Sequence, residues 1–247
     1  NDGVSDPGTE ASVLAEKLSA PHSAANEDFL LSLLRNELGS DPFYLIEYRE
    51  LRDDQADTRA LLASYEQVLT EQLQQVGAYT AFDNVVLQQV TNPEAQVWHQ
   101  VRGIYFPSPQ ALLDLLVTPQ RHEIAAQALL DVLQAPAYQQ AVKDEHAATL
   151  HLHAFWLTPV FVQQPVGLQP DEDEFYMANL NQHREQALYP DGTSHGLTGA
   201  EADALYTETM LAEVLPVIGA YPVLAGNYSH LVLGSDAAWD SFALVRY

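Results

Sequence analysis

The chain has 247 residues, 47% hydrophobic and 18% charged, enough apolar side chain for a packed core and too much for a globally disordered chain. Against ten Lys and Arg stand 34 Asp and Glu, and the formal charge of −24 repels phosphate backbones and anionic lipid, which argues against nucleic acid as a partner. Cysteine is absent, removing disulfides, thiolate metal sites and cysteine nucleophiles, and no apolar run approaches the ~20 residues of a membrane span.

Asn1 to Glu10 is polar, acidic and rich in Gly and Pro, and reads as a flexible leader. A first residue other than Met fits removal of a signal peptide, so the expected location is periplasmic or extracellular. The cytoplasm of a salt-adapted organism is the alternative for so acidic and lysine-poor a chain. Glu10 to Leu38 has helical periodicity in two pieces, broken near Pro21. The second piece carries Phe29, Leu30, Leu33, Leu34 and Leu38 on roughly one face, with Gly39 as its stop. Residues 1–39 therefore form a leader and helical extension.

An internal repeat follows. Phe43-Tyr44-Leu45 recurs as Phe175-Tyr176-Met177, each opening a strand. An amphipathic helix comes next, with Tyr65, Leu69, Leu73 and Val76 in one copy and Tyr206, Met210, Val214 and Val217 in the other. Both helices end in Gly-Ala-Tyr, at Gly77-Ala78-Tyr79 and Gly219-Ala220-Tyr221, where Gly suits a left-handed cap. A second strand is expected over Val85–Val90 and Tyr228–Leu233, and a third is opened by Trp98 or Trp239. Copy one continues with helices over Gln110–Val117 and Glu123–Leu133, a turn at Ala135–Tyr138, a last helix, and a final strand over Thr149–Val162.

This order, β-α-β-β-α-β, is the split βαβ or ferredoxin-like plan. The expected fold class is α+β, with two ferredoxin-like modules forming a pseudo-dimeric α+β barrel behind the helical extension. Their bounds are 40–164 and 165–247, and the second lacks its last helix and strand and is read as C-terminally incomplete. Two open sheets packed face to face would enclose a common cavity.

In copy two, Met177-Ala178-Asn179-Leu180 with His183-Arg184, Tyr189-Pro190-Asp191-Gly192, Leu197-Thr198-Gly199-Ala200-Glu201-Ala202, Ile218-Gly219-Ala220 and Trp239 through Tyr247 resemble one known family. It is the family of unknown function numbered thirteen-thirty, in the dimeric α+β barrel superfamily. The resemblance covers about 75 residues of copy two well and copy one more loosely. It implies paired ferredoxin-like modules and carries over no catalytic residue. Superfamily relatives include cofactor-free monooxygenases, isomerases, haem enzymes and plain small-molecule binders, and a shared fold does not choose among them.

Gly192-Thr193-Ser194-His195-Gly196 matches a hydrolase string, yet Tyr189-Pro190-Asp191 before it is a turn and Thr198 with Glu201 forms a capping box after it. The string belongs to a loop and not to a nucleophile elbow. His151 and His153 are two apart on an expected strand, share a face, and are the candidates for a metal or for haem iron. No third ligand at fitting spacing completes a set, so no metal and no cofactor is expected, with haem the alternative. His99, His153 and His183 are the candidates for proton transfer, set against the ordinary reading of a histidine bonded at a strand end. Tyr48, Trp98, Asn181 and Trp239 are the candidate ligand-binding residues, offering aromatic walls with polar tips. For the two tryptophans, filling the sheet–helix core is the competing account. Asp171-Glu172-Asp173-Glu174 lacks the pattern of a calcium loop and reads as a solvated linker.

The leading expectation is a protein that binds a small, largely apolar molecule between two paired sheets. The alternatives are a cofactor-free oxygenase or isomerase, and a structural or assembly subunit that forms homo-oligomers through a strand edge or the N-terminal helix.

Overall fold

A computed structural model describes residues 6–18, 26–51, 70–88, 98–117, 148–157, 174–233 and 239–247. The described elements are α1 (Pro7–Leu18), α2 (Glu27–Leu34), β1 (Phe43–Leu51), β2 (Tyr79–Val85), β3 (Gln100–Phe106), α3 (Pro109–Val117), β4 (Ala148–Leu157), β5 (Tyr176–Asn181), α4 (Gly199–Thr209), α5 (Leu215–Ile218), β6 (Tyr221–Leu233) and β7 (Ser241–Arg246). The chain is α+β and divides into two compact units. One comprises 1–156 with 230–236, the other 157–229 with 237–247.

In the first unit Asn26 caps α2. Its side-chain oxygen accepts from the Phe29 N–H at 3.0 Å, and Glu27 and Asp28 in the first turn suit the positive end of the helix. Phe29, Leu30 and Leu33 are its buried face. The helix ends at Leu34, four residues before the expected stop near Leu38, because Asn36 already takes a left-handed φ of 56°. The expected break near Pro21 lies outside the described residues. Residues 230–233 of β6 belong to this unit, where the Asn26 N–H donates to the Val232 carbonyl at 2.9 Å and the Phe29 ring meets His230 at 5.6 Å.

The strands of this unit lie in the order β2-β3-β1-β4, each neighbouring pair antiparallel. The order leaves β1 and β3 central, and side chains on both faces of β1 are buried from Phe43 through Tyr48. One face carries Phe43 stacked on Phe106 at 5.3 Å, with Leu45 and Ile104, and then Glu47 directly across from Arg102. The Arg102 guanidinium donates to the Glu47 carboxylate at 2.6 Å, and each side chain is only 1% exposed. The other face carries Tyr44, Ile46 and Tyr48.

The second unit repeats part of this plan, with β5, β7 and β6 taking the places of β1, β3 and β2. Gly77 and Gly219 both adopt φ 73°, and Ala78 and Ala220 each donate to the leucine carbonyl five residues back at 2.9 Å. Both strands that follow start at the Tyr of Gly-Ala-Tyr, well ahead of the expected starts at Val85 and Tyr228. Both also shift register at the same place, between Thr80 and Phe82 and between Pro222 and Leu224. The Phe43–Phe106 stack has its counterpart in Phe175 on Tyr247 at 5.2 Å.

The second-unit helix departs from its expected amphipathic packing. Tyr206, Val214 and Val217 are exposed and α4 buries no residue. Among the described residues, Leu215, Ala220 and Val245 form a small core at the C-terminal part, with Met210 and Tyr247 packed against it. Pro216 has no N–H to give, and the turn before it widens over Met210–Val214 so that the Leu215 N–H reaches the Met210 carbonyl. In copy one Tyr65 and Leu69 lie outside the described residues, as do the helix and turn expected over 123–138 and most of the acidic run.

Removing one member of the Glu47–Arg102 pair strands a buried charge. Arg102→Met is expected to cost about 3–5 kcal/mol in chemical denaturation, and Glu47→Leu combined with Arg102→Met is expected to recover most of that loss. Equal midpoints for the single and double variants would contradict a paired, desolvated bridge.

Candidate functional site

The register of the first sheet assigns the candidate residues to faces. Tyr79 pairs with Tyr105, Tyr105 with Tyr44, and Tyr44 with Phe155, a row of aromatic positions across four strands. The Tyr79 and Tyr105 rings stack at 4.9 Å, and Tyr105 meets Tyr44 edge-on at 5.6 Å. Two residues along β1, Ile46 is opposite Gly103 and His153. Phe82 lies over Gly103, where a Cβ would come within 2.1 Å of its ring. Two further along, Tyr48 is opposite Val101 and His151. Directly opposed residues share a face, so the backbone places His151 and His153 on the face that carries Tyr44 and Tyr48. Trp98, half-buried just before β3, packs on the fully buried Tyr48 with ring centres 5.2 Å apart.

Burial, and then the neighbouring Tyr79 and Tyr105, raise the Tyr44 phenol well above its ordinary range. Tyr79 is raised by burial and by Tyr105. Both hydroxyls are therefore neutral donors throughout the physiological range. His99 is half-buried beside Trp98, and its carbonyl accepts from the Val86 N–H at 2.9 Å.

The other candidates are in the second unit. Asn181 ends β5 and donates to the Ser241 hydroxyl at 3.1 Å, while its carbonyl accepts from the Asp240 N–H at 2.7 Å. Trp239 precedes Asp240, and its buried indole N–H has no hydrogen-bond partner among the described residues. His183 follows β5. Its Nε2 is 3.2 Å from Asp203 of α4, and its backbone N–H donates to the Asp240 carboxylate at 2.5 Å. Neither aspartate was marked by spacing, since each is brought to His183 by the fold from 20 or 57 residues away.

Between β5 and α4 the chain makes a closed loop. Gly199 donates to the Arg184 carbonyl at 3.0 Å, Ala187 to Leu197 at 3.0 Å, and Tyr189 to Thr193 at 3.0 Å. Thr198 and Glu201 form the expected capping box. The string Gly192 to Gly196 lies at the loop tip with left-handed φ at Gly192, His195 and Gly196, and the Ser194 hydroxyl accepts from the Gly196 N–H at 3.3 Å. Asp191 accepts from the Thr193 N–H and hydroxyl at 3.0 and 2.9 Å and lies 3.0 Å from His195. Among the described residues no group of three His, Asp or Glu could hold a metal ion, and no helix is long and apolar enough to cross a membrane.

No family model matches the chain, and no curated protein matches it. Among solved structures it is similar to the RPA0582 protein of unknown function from Rhodopseudomonas palustris, at 14% identity and a TM-score of 0.40, over 54% of this chain and 95% of that one. Methylated RPA0582 protein gives 14% identity and a TM-score of 0.39, over 54% of this chain and 93% of that one.

The loop tip yields a pH expectation. The Thr193 N–H, then its hydroxyl, with His195 adding to them, hold the Asp191 carboxyl below its ordinary value. A lowered folded value means the stabilisation is complete above the ordinary carboxylate range and is lost as pH falls through the folded midpoint. Carboxyl-carbon NMR is expected to show Asp191 titrating below a typical aspartate, with Thr193→Ala moving the midpoint back up. The variant keeps the backbone N–H, so an unchanged midpoint would remove the share assigned to the Thr193 hydroxyl.

Proposed function

We propose that the chain is built from two ferredoxin-like modules of the dimeric α+β barrel type, related by duplication. The strand order β2-β3-β1-β4 supports the first module, and the matched glycine caps and register shifts support the duplication. In the second unit the helix packs on the Val245 side of the sheet. The corresponding positions in the first are Leu73, Ala78 and Ile104, all nearly fully buried. The tyrosine face of the first sheet is then the side turned away from that helix.

On this reading the protein binds a small, largely apolar molecule against that face. The observation that carries it is the row Tyr79–Tyr105–Tyr44 with Tyr48 and Trp98 beside it. Aromatic rings offer large contact area at low entropic cost, and hydroxyls held neutral serve to orient a carbonyl or hydroxyl of the ligand. A chain of charge −24 favours a neutral ligand over an anion.

The neutral fluorophore N-phenyl-1-naphthylamine is the probe. It is expected to bind saturably with energy transfer from tryptophan, and Tyr105→Leu is expected to weaken it about fivefold to tenfold, on the order of 1 kcal/mol of aromatic contact. Absence of saturation, or equal affinity in Tyr105→Leu, would count against a ligand face there.

A further inference from the structure

We propose that His183 and Asp203 form a proton-transfer dyad in the second unit, with His183 Nδ1 as a general base toward a neutral small molecule. This site is independent of the tyrosine face, lying in a different unit and on different elements.

An ionised carboxylate only accepts hydrogen bonds, so the 3.2 Å contact between His183 Nε2 and Asp203 requires the proton to be on Nε2. That leaves Nδ1 with its lone pair. Among the described residues the nearest carboxylate oxygen to it, on Asp240, is 4.0 Å away, too far for a hydrogen bond, and already accepts from the His183 backbone N–H. No described residue bonds Nδ1. His183 is 21% exposed and Asp203 30%, so the pair is partly desolvated yet open to a small molecule. An aspartate that fixes the tautomer and stabilises the imidazolium, with the opposite nitrogen free, is the arrangement by which a histidine becomes a base.

The fold holds this geometry from three directions. Asp240 grips the His183 backbone and is itself tied to Asn181 by a 2.7 Å bond. Gly199 lies against the backbone of Arg184, where a Cβ would come within 2.4 Å of the carbonyl oxygen, so no larger residue fits between strand end and helix start. The Thr198–Glu201 capping box sets where α4 begins, and Asp203 follows one turn later. Two carboxylates beside the imidazole repel an anionic substrate and leave a neutral one as the fitting class.

The probe reaction is hydrolysis of p-nitrophenyl acetate, a neutral ester. Nδ1 takes a proton from water as its oxygen adds to the carbonyl carbon, the bond to p-nitrophenolate breaks, and the imidazolium returns its proton to solvent. His183→Gln is expected to lower the second-order rate roughly tenfold or more, and Asp203→Asn several-fold, while His195→Gln at the exposed loop tip leaves it nearly unchanged. The wild-type rate is expected to fall in D2O, as proton transfer to a base requires. Carbethoxylation by diethyl pyrocarbonate, mapped by peptide mass spectrometry, reads the free nitrogen in the unmutated protein, and modification of His183 is expected. Equal rates in His183→Gln and His195→Gln, or a wild-type His183 that resists carbethoxylation while His195 reacts, would overturn the dyad.

Discussion

The pairing of β1 with β3 decides which residues the first sheet hides and which it offers. Side chains alternate along a strand, so a slip of one residue would send Tyr44 and Tyr48 to the face now holding Phe43, Leu45 and Glu47. Apolar residues on both faces would tolerate that exchange better than the charged ones. Glu47 and Arg102 are directly opposed and nearly inaccessible to solvent. Any other register leaves two buried charges apart, each costing several kcal/mol of desolvation without its partner. The ion pair thus adds little net stability over an apolar pair, and its contribution is to exclude the competing alignments.

Corresponding positions in the second unit solve the same alignment differently. Where the first has Glu47 and Arg102, the second has Asn179 and Ala243, and the Asn179 amide reaches the Ala243 carbonyl at 3.5 Å. The Tyr105 position is taken by Arg246, which lies over the Tyr221 ring at 5.5 Å and pairs with Glu174. An aromatic row in one unit is therefore a cation between tyrosines in the other. One backbone plan carries two different surfaces, and the polar chemistry of the second gathers at the end of β5 instead of along the strands.

Much of the strand framework was legible because it rests on local signals. Phe-Tyr at 43–44 and 175–176 marks strand starts through β-propensity and alternation, and Gly-Ala-Tyr marks helix ends through the one residue that takes a left-handed φ without strain. The starts of β2 and β6 were misplaced because the chain passes from cap to strand with a single residue between, leaving no turn cluster to signal the change. The exposure of Tyr206, Val214 and Val217 was hidden for another reason. Helical spacing records which residues align, not whether a sheet lies beneath all of them, and here the packed core gathers Met210 of the widened turn and Leu215 beyond it, not Tyr206, Val214 or Val217.

The candidate site divides along the same line. His151 and His153 could be assigned to one face from spacing alone, but that Tyr44, Tyr48, Tyr79 and Tyr105 join them needs a register that no local pattern contains. The contrast between the two Asp–His pairs of the second unit is sharper. Asp191 and His195 are four apart in a loop whose turns can be read from sequence, and both are more than half exposed. Water competes for every bond they make, and their pairing shapes the loop tip more than it prepares either for chemistry. His183 draws its carboxylates from a helix and from the approach to another strand, and both members of the His183–Asp203 pair are less exposed than Asp191 and His195. Local pairs are easy to read because the chain makes them without folding. A base oriented for catalysis must be held by groups that only the folded state brings together.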